Sequence, residues 1–213
     1  MDFIDPIIEQ YSLNHTTGES EILADLNRQT HLNILQPRML SGHMQGRMLS
    51  AFSKALKPTK ILEIGTYTGY SALCLAEGLV SGGNLYTIDI NRELEEFAKS
   101  YFESSTYNNM INMIIGDACE LIPKMNYDWD LVFIDADKEN YSNYFDLVID
   151  KVKSGGWIIA DNVLWSGKVT NPTSKNDTET AAIKAFNSKV KSDSRVTNLL
   201  LPVRDGMMIL IKN

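Results

Sequence analysis

Five short apolar runs in this 213-residue chain each reach an acidic residue at or near their C-terminal end: Ile61-Leu62-Glu63, Leu85 to Asp89, Met113 to Asp117, Leu131 to Asp135 and Trp157 to Asp161. Runs of this length, alternating with stretches of helical periodicity, predict parallel strands joined by right-handed crossovers. In such a sheet the carboxylates gather along one edge, where doubly wound sheets bind their ligands. Between the first two runs lies the small-residue turn Gly65-Thr66-Tyr67-Thr68-Gly69. A close-approach backbone beside a row of acids suits a nucleoside and a metal.

The alternation predicts strands over 60–64, 84–89, 112–116, 130–135 and 156–161, with helices over 69–80, 92–104, 118–124 and 139–152. Upstream, residues 6–34 carry two helices broken by the turn-like cluster 14–18, residues 37–46 read as a loop, and helical spacing from Met48 stops at Pro58. The tail differs. Residues 177–190 read as a helix, and two apolar runs, 195–203 and 206–212, joined by Arg204-Asp205, predict an antiparallel edge hairpin. The expected fold is α/β: one domain over residues 1–213, a doubly wound, mostly parallel sheet of Rossmann-like type with a C-terminal hairpin edge. Residues 1–35 form an N-terminal helical extension to it.

A formal net charge of −7 gives no global attraction to phosphate backbones, so nucleic acid is a secondary expectation. The first residues lack the basic start and apolar stretch of a signal peptide, and no run approaches a membrane span, which makes a cytoplasmic protein the expectation. Cys74 and Cys119 have no second cysteine or histidine at ligand spacing, which argues against a disulfide or zinc. His15, His31 and His43 read as surface residues, the last of them in a loop.

Three constellations carry chemistry. The turn after Glu63 lacks the G-x-G-x-x-G order of a dinucleotide fingerprint, so pyrophosphate binding is disfavoured. Gly65 either lets a ligand approach the backbone or serves only the turn, and Ser71 stands one turn into the next helix. Asp89 fits either an acceptor for two ribose hydroxyls or a helix cap, and the neighbouring glycine turn favours the ribose. Ala118 follows Gly116-Asp117, a tripeptide that by itself is merely a turn, or one whose small last side chain leaves room for a flat adenine. Finally Asp135, Asp161 and Asn162 make an all-oxygen set at neighbouring strand ends, suited to a hard cation such as Mg²⁺, unless the acids are only turn formers.

Together these residues resemble the cation-dependent, S-adenosylmethionine-using O-methyltransferases of the catechol and caffeoyl-CoA type. The likeness runs from roughly Gln36 to the C-terminus and rests on LEIGTYTGYSAL, the acid at 89, GDA at 116–118, FIDADKENY at 133–141, GGWIIADNVLWSGKV at 155–169 and the closing LPVRDGMMI. The resemblance implies that Ser41, Glu63, Gly65, Ser71, Asp89 and Ala118 hold the methyl donor, Glu63 near its amino group and Asp89 on its ribose. Thr66, Tyr67 and Asp135 complete that set, Tyr67 lining the donor pocket. It further implies that Asp135, Asp161 and Asn162 bind the divalent cation, that Lys138 is the general base, and that Trp165 walls the acceptor. The implied acceptor is a small catechol-type molecule, with a hydroxylated uridine of tRNA as the alternative, and the implied assembly is a homodimer.

Overall fold

The computed structural model describes residues 4–213. They divide into two compact units, residues 7–117, and residues 118–213 with 4–6. The strand order of the seven-stranded sheet is β3-β2-β1-β4-β5-β7-β6, with the strands numbered along the chain.

The first unit holds α2 (Glu21–Asn33), α3 (Gly42–Leu56), β1 (Lys60–Ile64), α4 (Tyr70–Ala76), β2 (Asn84–Asp89), α5 (Glu95–Ser104) and β3 (Ile111–Ile115), preceded by α1 (Pro6–Asn14). β1, β2 and β3 are parallel, with Glu63 opposite Thr87 and Ile88 opposite Ile114. α4 is buried at all seven positions, as a helix without a polar face must be. α3 stops at Lys57, which turns left-handed (φ 50°) ahead of Pro58.

Residues 37–46 are not the expected loop. Only Pro37–Met39 form a short 3-10 turn, and α3 starts at Gly42, six residues ahead of the expected start at Met48. Gly46, which reads as a loop residue in sequence, is a helix contact: a Cβ there would sit 2.6 Å from the Tyr70 ring and 2.8 Å from Cys74 Sγ. His43 accordingly lies in α3, its Nε2 2.7 Å from the Thr17 carbonyl. Around it, Arg47, Ser50 and Lys54 of α3 all converge on Glu77 at the end of α4, the last two at 2.7 Å.

The second unit holds α6 (Ala118–Leu121), β4 (Trp129–Ile134), α7 (Tyr141–Ile149), β5 (Val152–Asp161), α8 (Thr178–Ser192), β6 (Val196–Leu201) and β7 (Met207–Lys212). β4 and β5 are parallel, and β7 inserts antiparallel between β5 and β6. β5 begins four residues earlier than expected because Gly155-Gly156 lie at an irregularity inside the strand: Trp129 pairs with Val152, yet Leu131 already pairs with Trp157. Behind the sheet α7 meets α8 through Tyr141, Phe145 and Phe186, all fully buried, with the Tyr141 and Phe186 rings edge to face at 5.5 Å. Truncating Phe186 to alanine costs about 3–5 kcal/mol by the usual cavity argument.

Among the described residues no helix is long and apolar enough to cross a membrane. Among the described residues neither Cys74 nor Cys119 is in a disulfide.

Candidate active site

In the first unit the ends of β1 and β2 build one hydrogen-bonded chain. Glu63 is fully buried, and Thr87, opposite it on β2, donates to its Oε2 at 2.6 Å. The Thr87 oxygen is 2.5 Å from Thr66 Oγ1. The ladder runs one step past the strands, with Gly65 N–H donating to the Ile88 carbonyl at 2.8 Å, and Gly65 then turns left-handed (φ 102°). That turn aims the next two amide groups at Asp89, whose Oδ2 accepts from Thr66 N at 3.0 Å and Tyr67 N at 2.7 Å.

Asp89 is therefore also a brace for the glycine turn, beyond either role the sequence offered. Its Oδ1 accepts from Asn91 N at 2.8 Å, and Asn91, not Asp89, caps the following 3-10 turn by accepting from Glu93 N. Tyr67 holds a left-handed backbone (φ 50°) and its hydroxyl donates to the Gln36 carbonyl at 2.8 Å, which ties the turn to the chain entering α3. Burial raises the Tyr67 phenol above its ordinary pKa, so this donor keeps its proton. Ser41, just ahead of α3, and Ser71, in the first turn of α4, are both buried.

In the second unit Ala118 opens α6 and is buried. Ile134 of β4 pairs with Ala160 of β5, so Asp135 and Asp161 follow as neighbours on strands spaced about 4.8 Å apart. Asp161 is 4% exposed, and Asn162 after it is left-handed (φ 58°). Lys138 is 6% exposed, an unusual burial for a lysine, and its Nζ lies 3.1 Å from Asp135 Oδ1 and 2.5 Å from the Tyr141 hydroxyl. That hydroxyl donates in turn to the Asp161 backbone carbonyl at 2.9 Å. Complete burial, and then the charges of Asp135 and Asp161, hold the Tyr141 phenol well above its ordinary pKa. Tyr141 is thus a neutral clamp between a cation and a carbonyl.

Trp165, also left-handed (φ 48°), sets its ring 5.8 Å from Lys138 Nζ. The loop that carries it leans on the turn between β6 and β7. Val163 N donates to the Gly206 carbonyl at 3.0 Å, Leu164 N to the Asp205 carbonyl at 2.9 Å, and Ser166 N to the Asp205 carboxylate.

The oxygens of Asp135, Asp161 and Asn162 are hard donors, a chemistry that fits Mg²⁺ or Mn²⁺ and not zinc. Among the described residues no group of three or more His, Cys, Asp and Glu is placed to hold a metal ion, so the amide of Asn162 would have to be the third protein donor.

Three residues of this geometry escaped the sequence reading. Thr87 looks like any β-branched strand residue, and only its register with Glu63 marks it. Tyr141 stands three residues after Lys138 on one helical face, a spacing that could have flagged it. Asp205 reads as a turn former, and nothing local links it to Trp165.

A parallel sheet with acids at its strand ends, a left-handed glycine turn and a buried lysine defines a ligand-binding α/β enzyme. Comparison with known proteins narrows this. A family model described as O-methyltransferase matches residues 13–213. A caffeoyl-CoA O-methyltransferase of Stellaria longipes is 33% identical over 214 residues, covering 94% of this chain and 88% of the relative. A probable caffeoyl-CoA O-methyltransferase of Dictyostelium discoideum is 30% identical over 210 residues, covering 96% and 91%. Among solved structures, an O-methyltransferase from Bacillus cereus in complex with S-adenosylhomocysteine superposes with a TM-score of 0.87 at 28% identity, covering 97% of each chain. The chain belongs to the O-methyltransferase family.

Proposed function

We propose that this enzyme transfers the methyl group of S-adenosylmethionine to one hydroxyl of a small catechol-type acceptor, with a divalent cation bound by Asp135, Asp161 and Asn162. The single observation that carries the reading is Lys138, buried against Asp135 and clamped by Tyr141 beside the Trp165 ring. As the neutral amine, a lysine held there accepts a proton from the acceptor hydroxyl and becomes the ammonium, while Trp165 walls the aromatic ring. A cation held by Asp135, Asp161 and Asn162 would supply Lewis acidity toward that hydroxyl. The S–CH₃ bond then breaks as the O–CH₃ bond forms, and the protein's part is positioning.

On the donor side, Glu63 takes the amino group, Asp89 the ribose hydroxyls, and Gly65, Thr66, Tyr67, Ser41, Ser71 and Ala118 line the remaining contacts. Asp135 serves both donor and cation. The cleft of about 350 Å³ beside Lys138 is lined by Asp137, Glu139, Asp177 and Glu179. Four carboxylates at that cleft support a neutral or cationic acceptor over one bearing several phosphates, tRNA included. We further infer a cytoplasmic homodimer: two cysteines outside any disulfide suit a reducing compartment, and α1 buries none of its residues while exposing Ile7, Ile8 and Tyr11.

The test is methyl transfer to catechol and to phenol, with and without a chelator. Catechol alone should be methylated, and chelation should stop the reaction reversibly, because two vicinal oxygens can replace two waters on a cation and one cannot. Equal rates on both acceptors, or full turnover after exhaustive chelation, overturn the reading.

A further inference from the structure

We propose that Thr87 is a positioning residue for the methyl donor, orienting the Glu63 carboxylate through a directed chain of hydroxyls that starts at Thr66. The proposal rests on Glu63 being the acceptor of the donor's amino group.

Thr87 is fully buried in the interior of β2. Valine has nearly the same shape there and an equal preference for strands, so the hydroxyl has no packing reason to exist. A buried hydroxyl is costly unless both its proton and its oxygen are used. Here both are used. Glu63 stands opposite Thr87 in the parallel register, which puts the two side chains on one face of the sheet. An ionised carboxylate only accepts, so the 2.6 Å contact fixes the Thr87 proton on Glu63 Oε2. The Thr87 oxygen must then accept, and the 2.5 Å contact assigns Thr66 as its donor. The backbone N–H of the same Thr66 is given to Asp89 Oδ2 at 3.0 Å.

One residue of the glycine turn therefore addresses both acids, Asp89 through its amide and Glu63 through Thr87. With Glu63 ionised, as the partner of an ammonium must be, the order of protons is set and its Oε2 has a fixed donor. What it positions is the acid for an ammonium, so its loss should be felt by ligands that carry the amino-acid arm and not by ligands that lack it.

The experiment measures binding of S-adenosylhomocysteine and of 5′-methylthioadenosine, which keeps adenine and ribose but has no amino-acid arm, by calorimetry on the full-length enzyme. Thr87→Val should weaken S-adenosylhomocysteine about tenfold, as expected for one charge-assisted hydrogen bond, and leave methylthioadenosine unchanged. Thr87→Ser should restore the loss. Should the valine variant not fold, Thr87→Ser and Thr87→Ala differ at that site only by the hydroxyl and give the same comparison. Equal weakening of both ligands, or weakening of neither, overturns the proposal. Glu63→Gln is the separating control: if it weakens S-adenosylhomocysteine while Thr87→Val does not, only the role of Thr87 falls. If Glu63→Gln changes nothing, the assignment of Glu63 falls and this proposal with it.

Discussion

Lys138 Nζ and the Tyr141 hydroxyl are 2.5 Å apart, and the hydroxyl spends its own proton on the Asp161 carbonyl at 2.9 Å. The lysine at the proposed acceptor site is thereby tied to the backbone of a proposed cation ligand. Its height above the site is set by the sheet and not by the flexibility of a four-carbon side chain.

Tyr141→Phe should therefore slow methyl transfer about tenfold while leaving donor affinity unchanged, since it removes one hydrogen bond to a charged group and keeps the ring. Lys138→Ala should slow it more, by about a hundredfold or beyond, with partial recovery as pH rises. Single-turnover rates and donor calorimetry on both variants provide the check. A wild-type rate in Lys138→Ala across pH would make the lysine a bystander.

Asp89→Asn should weaken S-adenosylhomocysteine by about tenfold or more, and in addition loosen the 65–67 turn, because the carboxylate both faces the proposed ribose site and accepts from Thr66 N and Tyr67 N. Hydrogen exchange at those two amides reads the brace separately from affinity. Unchanged donor affinity in a folded variant would remove Asp89 from the binding set.

Stability in acid should depend on Glu77. Burial works against its charge, but hydrogen bonds from Arg47, Lys54 and Ser50 overcome that and hold the carboxyl at about 2, below its ordinary 4.5. A folded pKa below the unfolded one means that the unfolded chain binds more protons, so this contribution is complete above about pH 4.5 and fades as pH falls toward 2. Glu77→Gln should lower neutral stability by on the order of 2 kcal/mol, allowing for its partly open side, and flatten the acid limb of a denaturation series. An unchanged acid limb would count against the network.

The parallel strands, the strand-end acids and the glycine turn were legible because each is written locally, in apolar runs, terminal acids and small residues. So were Lys138 and Trp165 as candidates, through the motifs they sit in. What could not be read is what depends on partners distant in sequence. Gly46 reads as a loop residue until Tyr70 is seen against it, and β5 reads as starting at Gly156 until β4 shows that it pairs from Val152. Thr87 acquires its meaning only from the register of β2 on β1, which a sequence with period two leaves open by whole steps.

Asp205 is the most distant case. It receives amide groups from Leu164 and Ser166, so it holds the loop of Trp165 from 39 residues away in the case of Ser166. Gly206 beside it is left-handed (φ 86°), and a Cβ there would sit 2.8 Å from Leu164 N. Both features serve the same end, a close seat for the loop. Asp205→Ala removes the side-chain bond but keeps the backbone one, whereas Gly206→Ala adds strain and pushes Leu164 outward. Both should raise the KM for catechol severalfold with donor affinity intact, Gly206→Ala the more strongly, since misplacing a positioning wall by about 1 Å is enough to cost up to a hundredfold in rate. Steady-state kinetics with catechol, alongside calorimetry with S-adenosylhomocysteine, separate the two effects. If both variants instead weakened the donor and spared the acceptor, the loop of Trp165 would belong to the donor side of the reaction.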